Sequence, residues 1–132
     1  MIIDHISYID YDTAKKIHNI EELKVNYEEK VKQINERLNT LTDEIKKYGS
    51  KIIFITQIYY DGLANPELFL VNNLIKEFSE KKNINIIKLD EIIKMSKFDF
   101  YDGAHTTVKG SSKIAKVLST EIIKILEEKN LY

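Results

Sequence analysis

The chain has 132 residues, 43% hydrophobic and 31% charged, with 20 basic and 21 acidic side chains. That length makes one ordinary domain, the composition excludes global disorder, and the balanced charge lacks the basic excess of a nucleic-acid binder. The absence of cysteine excludes disulfides, cysteine–zinc sites and thiol nucleophiles, and no apolar run reaches the roughly 20 residues that span a bilayer.

The N-terminal stretch MIIDHISYIDYD has no basic leader, no long apolar centre and no small-residue cleavage site, so it does not read as a signal peptide. Met1–Ile9 is a candidate strand, weakened by Asp4, His5 and the following Asp10. His5 and His18, with Asp4 and Asp10, are too few and too irregularly spaced for a metal site. A long helix is predicted from Ile20 to Tyr48. Its apolar residues Tyr27, Val31, Ile34, Leu38, Leu41, Ile45 and Tyr48 recur at alternating steps of four and three. This stripe suits a helix covering a sheet, and its 3.5-residue period also fits a coiled coil. Gly49 ends the helix in the usual position after the last turn.

Lys51–Gln57 (KIIFITQ) reads as a buried parallel strand, short, β-branched and aromatic after a Gly-Ser break. Tyr59-Tyr60-Asp61-Gly62 is a loop that either lines the substrate side of a longer protein or is a plain turn. Asn65-Pro66 starts the next helix, with Asn as N-cap and Pro at the first helical position. Phe69, Leu70, Leu74, Ile75 and Phe78 form that helix's apolar face. Asn85–Leu89 is a second buried strand, and Asp90 is expected to cap a short helix over Glu91–Ser96. Lys97–Thr107 is a loop. A final helix is predicted over about Val108–Glu128, with Ile114, Val117, Leu118, Ile122, Ile125 and Leu126 inward. Lys46-Lys47 and Lys81-Lys82 fall at helix C-termini, where cations complement the helix dipole.

Helix, strand, helix, strand, helix with short connections makes a single α/β domain with parallel strands. Two strands are few for a parallel sheet, and the apolar run KIIFITQ would leave an unpaired edge, which favours aggregation. The chemistry gathers after the second strand, in FDFYDGAHTTVKGSSKIAKVL. Asp102 three residues before His105 can place its carboxylate on the imidazole Nδ1–H, fixing the tautomer and stabilising an imidazolium. Open α/β sheets bind ligands at that edge, beyond the carboxyl ends of their strands. A turn with a capping role is the simpler reading of the pair taken alone. Ser111 and Ser112 fall in the first turns of the last helix, where capping or exposure accounts for them. A small nucleotide-binding flavodoxin-like domain is a third, weaker reading that no Gly-rich phosphate loop supports, and no cofactor is expected.

The string Asp102-x-x-His105-Thr106, then Gly110 and Ile114-Ala115, resembles the last conserved block of the SGNH hydrolases, the GDSL-type esterases and lipases. The run Ile52-Ile53-Phe54-Ile55-Thr56-Gln57 is similar to the strand before that family's substrate loop. The element order also matches from about Glu21 to Leu126. The resemblance implies a flavodoxin-like three-layer α/β/α sandwich, of which this chain would supply the C-terminal strands and helices. It implies hydrolysis or transfer of an acyl ester on a small molecule, carbohydrate or lipid. His105 would be the general base, Asp102 would orient it, and Gln57 would be a substrate-side residue. Thr56 and Gln57 would both face the site from the end of the strand. The family's Gly-Asp-Ser nucleophile motif, oxyanion glycine block and Gly-x-Asn-Asp block are not found among the 132 residues. The nucleophile would then lie before Met1, and these residues alone would be inactive. The other reading is an α/β binding or coiled-coil module without catalysis, self-associating through the long helix.

Overall fold

The computed structural model describes residues 8–129. The two apolar runs pair in parallel: β1 (Ile53–Ile55) lies beside β2 (Asn85–Ile87), with Ile53 opposite Asn85 and Ile55 opposite Ile87. Each strand is shorter than the predicted 51–57 and 85–89. The ladder ends where the Thr56 N–H donates to the Ile87 carbonyl at 3.1 Å. Among the described residues this is a two-stranded sheet set in a mainly helical chain. The α/β character is therefore present, carried by a small parallel sheet.

Among the described residues six helices surround the pair: α1 (Tyr11–Ile17), α2 (Ile20–Asn26), α3 (Glu28–Lys47), α4 (Pro66–Lys82), α5 (Leu89–Ile92) and α6 (Val108–Lys129). The start of α4 is as predicted: Asn65 Oδ1 accepts from the Glu67 and Leu68 N–H groups at 2.8 and 3.2 Å. It stops at Asn83, whose φ of 54° is the left-handed turn that ends a helix. Leu68, Phe69, Leu70, Leu74 and Phe78 of α4 are buried, and Phe78 meets Phe54 of β1 edge-on at 6.2 Å.

The single helix predicted over 20–48 is two. Tyr27, at φ −117° and ψ 36°, ends α2 and begins α3. Ile20 and Leu23 pack on the buried cluster of Ala14, Leu63, Leu68 and Phe69, and α2 and α3 both lie against α4. On α3 the buried positions are Leu38 and Thr42. Leu41 and Tyr48, both counted in the apolar stripe, are 48% and 82% exposed. The stripe thus covers the chain's own α4 about Leu38 and leaves Leu41 and Tyr48 in solvent. Leu38→Ala should cost about 2–3 kcal/mol of unfolding free energy and Leu41→Ala less than about 1; urea melts of the two variants check this.

Helix α1 falls in a stretch whose sequence pattern is ambiguous. Asp10 Oδ1 caps it by accepting the Thr13 N–H at 2.8 Å, and Ala14 is wholly buried. Residues 1–7 of the candidate strand Met1–Ile9 lie outside the described residues, as do Asp4 and His5. Ile9 itself pairs in parallel with Gly62, not with β1. Its N–H donates to the Asp61 carbonyl at 3.0 Å, and its carbonyl accepts the Leu63 N–H at 2.8 Å. Gly62 is at φ +69°, and a Cβ there would stand 2.2 Å from the Ile9 carbonyl oxygen. That contact and that φ both require glycine. His18 caps α1 through its backbone N–H, which donates to the Ala14 carbonyl at 2.9 Å; its Nε2–H donates to the Leu63 carbonyl at 2.9 Å, and its ring lies 5.1 Å from that of Phe69. It is a packing residue. Among the described residues no group of three or more ligand-type side chains gathers.

Asp90 does not cap a helix over 91–96. Helix α5 starts at Leu89 and ends at Ile92, with Lys88 as N-cap. Asp90 sits inside it, buried, accepting from the Thr56 hydroxyl at 2.7 Å and from the Lys76 ammonium at 2.8 Å. Its own N–H donates back to Thr56 Oγ1 at 3.0 Å. Lys76 also reaches Glu91 at 2.9 Å and lies 4.2 Å over the Tyr11 ring. This buried network ties α1, the end of β1, α4 and α5 together. Thr56 therefore serves the core instead of facing a site.

Candidate functional site

The loop after α5 is organised by two short devices. Ser96 caps a single 3-10 turn, Lys97–Asp99, and Asp99 Oδ2 accepts the Ser96 N–H in return, a capping box. Asp99 is buried and also pairs with Lys113 of α6 at 2.7 Å. Burial pushes its carboxyl pKa up, but the Lys113 ammonium and the Ser96 N–H together outweigh this and hold it below the usual range. The Asp99 carbonyl accepts the Thr107 N–H at 2.9 Å. Thr107 then caps α6, its Oγ1 accepting the Gly110 N–H at 3.1 Å.

Gly110 is where α6 crosses this turn. A Cβ there would stand 2.1 Å from the Asp99 carbonyl oxygen and 3.1 Å from Asp99 Cβ. Gly110→Ala should therefore force the turn off α6 and lower stability by about 1–3 kcal/mol or more, although alanine is the better helix former. Thermal unfolding of the variant checks the sign.

Between these anchors the chain makes a tight hairpin. Phe100 pairs antiparallel with Thr106, and the Tyr101 N–H donates to the His105 carbonyl at 3.0 Å. At its tip Asp102 Oδ1 accepts the N–H groups of Ala104 and His105 at 2.9 and 2.7 Å. The His105 Nδ1–H points into the same carboxylate, 2.8 Å from Oδ2 and 2.9 Å from Oδ1. The predicted Asp102–His105 contact is thus made, and the carboxylate holds both the loop backbone and the ring. With Nδ1 committed to Asp102, Nε2 is the nitrogen left to exchange a proton. The two side chains are 49% and 69% exposed.

Hydrogen bonds from Ala104 N–H, His105 N–H and the His105 ring hold the Asp102 pKa down at about 2, from an ordinary 3.8. A folded pKa below the unfolded one means the unfolded chain binds more protons between the two values, so stability rises with pH there. The contribution should be complete above about 4 and lost as pH falls through about 2. A carbon-13 titration of the Asp102 carboxyl checks this.

Tyr101 is a residue that sequence reasoning does not single out. Its ring lies nearly parallel to that of His105, centroids 5.8 Å apart and planes 17° from parallel. Asp99 and Thr107 are likewise missed; the Ser96-x-x-Asp99 capping-box spacing is the available signal. Ser111 Oγ lies 2.6 Å from Thr106 Oγ1, and Ser111 and Ser112 are both exposed, in keeping with the helix-start reading.

Gln57 follows β1 at the same end of the parallel pair. Its backbone is held from both sides by Asn72, which is almost wholly buried. Asn72 Oδ1 accepts the Gln57 N–H at 3.0 Å, and Asn72 Nδ2 donates to the Gln57 carbonyl at 2.8 Å. The Gln57 side chain is exposed. The two loops meet where the Tyr60 N–H donates to the Gly103 carbonyl at 3.3 Å, so the Gln57 segment is bonded to the residue after Asp102.

No protein-family model, curated protein or solved structure matches this chain.

Proposed function

We propose that this chain is the acid–base part of an SGNH-type ester hydrolase, with His105 as general base and Asp102 as the carboxylate that orients it. The observation that carries the reading is the Asp102 carboxylate taking the His105 Nδ1–H at 2.8 Å while two backbone N–H groups lock it in place. Such a pair can accept a proton from a hydroxyl nucleophile through Nε2 and return it to a leaving alkoxide. The dyad stands on the loop beyond the carboxyl ends of parallel strands, where α/β folds collect ligands. On this reading β1 and β2 are two strands of a larger flavodoxin-like sandwich. The serine nucleophile and the oxyanion donors come from outside these 132 residues.

The chemistry needs both missing parts. A base without a nucleophile accelerates little, and the oxyanion donors are often the largest catalytic term. The 132 residues alone should therefore not turn over a nitrophenyl ester. A binding module without catalysis is the second reading, and the open exposure of the dyad favours it. One pair of measurements separates the two. The DNA frame upstream of the Met1 codon is read, and the native protein is labelled with a fluorophosphonate. A frame encoding a strand and Gly-Asp-Ser, with the label on that serine, supports the hydrolase. An in-frame stop just before Met1, with no labelled chain bound to this one, overturns it.

A further inference from the structure

The angle between α1, α2 and α4 holds a cleft of about 510 Å³ that the dyad does not use. Its volume is within the roughly 300–1,000 Å³ of small-molecule sites. Three polar side chains that line it are each fixed by a bond of their own and keep one function unspent. His18 Nε2–H donates to the Leu63 carbonyl at 2.9 Å, with the ring 5.1 Å from that of buried Phe69, so Nδ1 is left as an acceptor. Asn19 Oδ1 accepts the Glu22 N–H at 3.0 Å, which leaves its Nδ2 donors. Asn73 Nδ2 donates to the Phe69 carbonyl at 2.8 Å, which leaves Oδ1 as a second acceptor. A ligand meeting these groups orders little that is not already ordered, which favours binding.

The charge of the cleft narrows the ligand further. Its lining carries Lys15 and Lys16 and no carboxylate. Lys15 is matched already: it pairs with Asp12 at 3.3 Å and lies 4.9 Å over the Tyr11 ring. Lys16 forms no ion pair among the described residues and acts on Asp10 only at longer range. One positive charge is therefore left for a ligand. Beside it the wall is apolar: Ile17 is 57% exposed, and Ile20, which packs on the Ala14 cluster, is half-buried.

We infer that this cleft binds a small aromatic monocarboxylate carrying a ring N–H, of the indole-acid class. The carboxylate pairs with the Lys16 ammonium and accepts from Asn19 Nδ2. The ring covers Ile17 and Ile20, and its N–H donates to the acceptor pair of His18 Nδ1 and Asn73 Oδ1. The inference stands apart from the hydrolase reading. Each alternative class leaves something unmatched. A plain hydrocarbon would desolvate His18, Asn19 and Asn73 without returning a hydrogen bond to any of them. A phosphate dianion brings two charges to a single unpaired lysine. A sugar brings hydroxyls but no charge for Lys16.

The test is a proton–nitrogen NMR titration of the full 132-residue chain with indole-3-acetate. Two probes run beside it: 1-naphthaleneacetate, which lacks the ring N–H, and indole-3-ethanol, which lacks the carboxylate. Indole-3-acetate should move the amides of Ile17, His18, Asn19 and Asn73 saturably and shift the His18 Nδ1 resonance. Each of the other probes should bind at least about fivefold more weakly. Lys16→Gln and Ile17→Ser should each weaken indole-3-acetate by a similar factor. Both alter exposed side chains, so the fold is kept, and an unchanged melting temperature checks this. The inference is overturned when indole-3-acetate moves none of these amides, when either control probe binds as tightly, or when binding survives both substitutions. Shifts spread evenly over the lysine-bearing surface mark unspecific anion attraction and overturn it as well. A negative phosphonate result leaves it intact.

Discussion

On the proposed hydrolase reading, His105→Ala should lower kcat of a protein that also carries the nucleophile by about 10⁶-fold, and Asp102→Asn by about 10⁴-fold. The Asp102→Asn variant is the more informative. The substituted amide can still accept the Ala104 and His105 N–H groups through its Oδ1, so the hairpin tip should keep its shape. Its Nδ2 would then face His105 Nδ1 with a proton instead of a lone pair. The ring must answer by placing its own proton on Nε2, the tautomer that cannot act as base. A loss of activity with unchanged melting temperature and unchanged Tyr101 and Thr106 chemical shifts assigns the carboxylate to proton traffic. A similar activity in wild type and Asp102→Asn would leave Asp102 as a turn residue. The open setting of the dyad matters for magnitude, because water weakens each electrostatic contact it reaches. An effect well under 10⁴ would mean that the dyad stays wet during turnover.

Lys76→Met should be the most damaging single change to the fold, by about 3–5 kcal/mol, or on the order of 10–20 °C in Tm for a chain of this length. Lys76 is 11% exposed and the Asp90 carboxylate it bonds is completely covered. Methionine fills a similar volume but leaves the buried Asp90 carboxylate with the Thr56 hydroxyl as its remaining donor. Breaking one partner of a buried pair costs far more than the pair contributes, since a charge is left without compensation. The double variant Lys76→Met/Asp90→Asn should recover at least about 1 kcal/mol, because no ionised group is then stranded. Equal stability of Lys76→Met and wild type in urea would mean that the network adds nothing to folding.

What can be read from the chain without its structure is decided by range. Asn65-Pro66 and Asp102-x-x-His105 act within three residues, so residue type and spacing are enough to anticipate the α4 cap and the imidazole contact. Gly49 is equally readable, and its φ of +70° is what a residue just past a helix end requires. Asp90 is misread for the complementary reason. Next to an apolar strand it looks like a cap, but its partners Thr56 and Lys76 come from remote segments that no local pattern reveals. The interruption at Tyr27 is hidden because Ile20 and Leu23 continue the spacing of the apolar stripe that starts at Tyr27, and no Gly or Pro marks the break. Helix α1 has a usable signal, Asp10 followed three residues later by Thr13, but its core residue is Ala14, too small to mark an apolar face. Around the end of β1, Gln57, the Tyr59–Gly62 loop and the Asn65 cap are anticipated. Lys30 and Glu67 come from separate helices and meet through folding alone.

The stitch between Ile9 and the Tyr59–Leu63 turn has a dynamic consequence. The Ile9 and Leu63 amides are held by reciprocal bonds across one seam, so neither can reach solvent catalyst until the same opening occurs. Their deuterium exchange rates should coincide and respond together to denaturant. The Tyr59–Gly62 pair and the Tyr60–Gly103 bond do not involve Ile9. Opening of the seam should therefore speed exchange at Ile9 and Leu63 while Tyr60 keeps its own, slower rate.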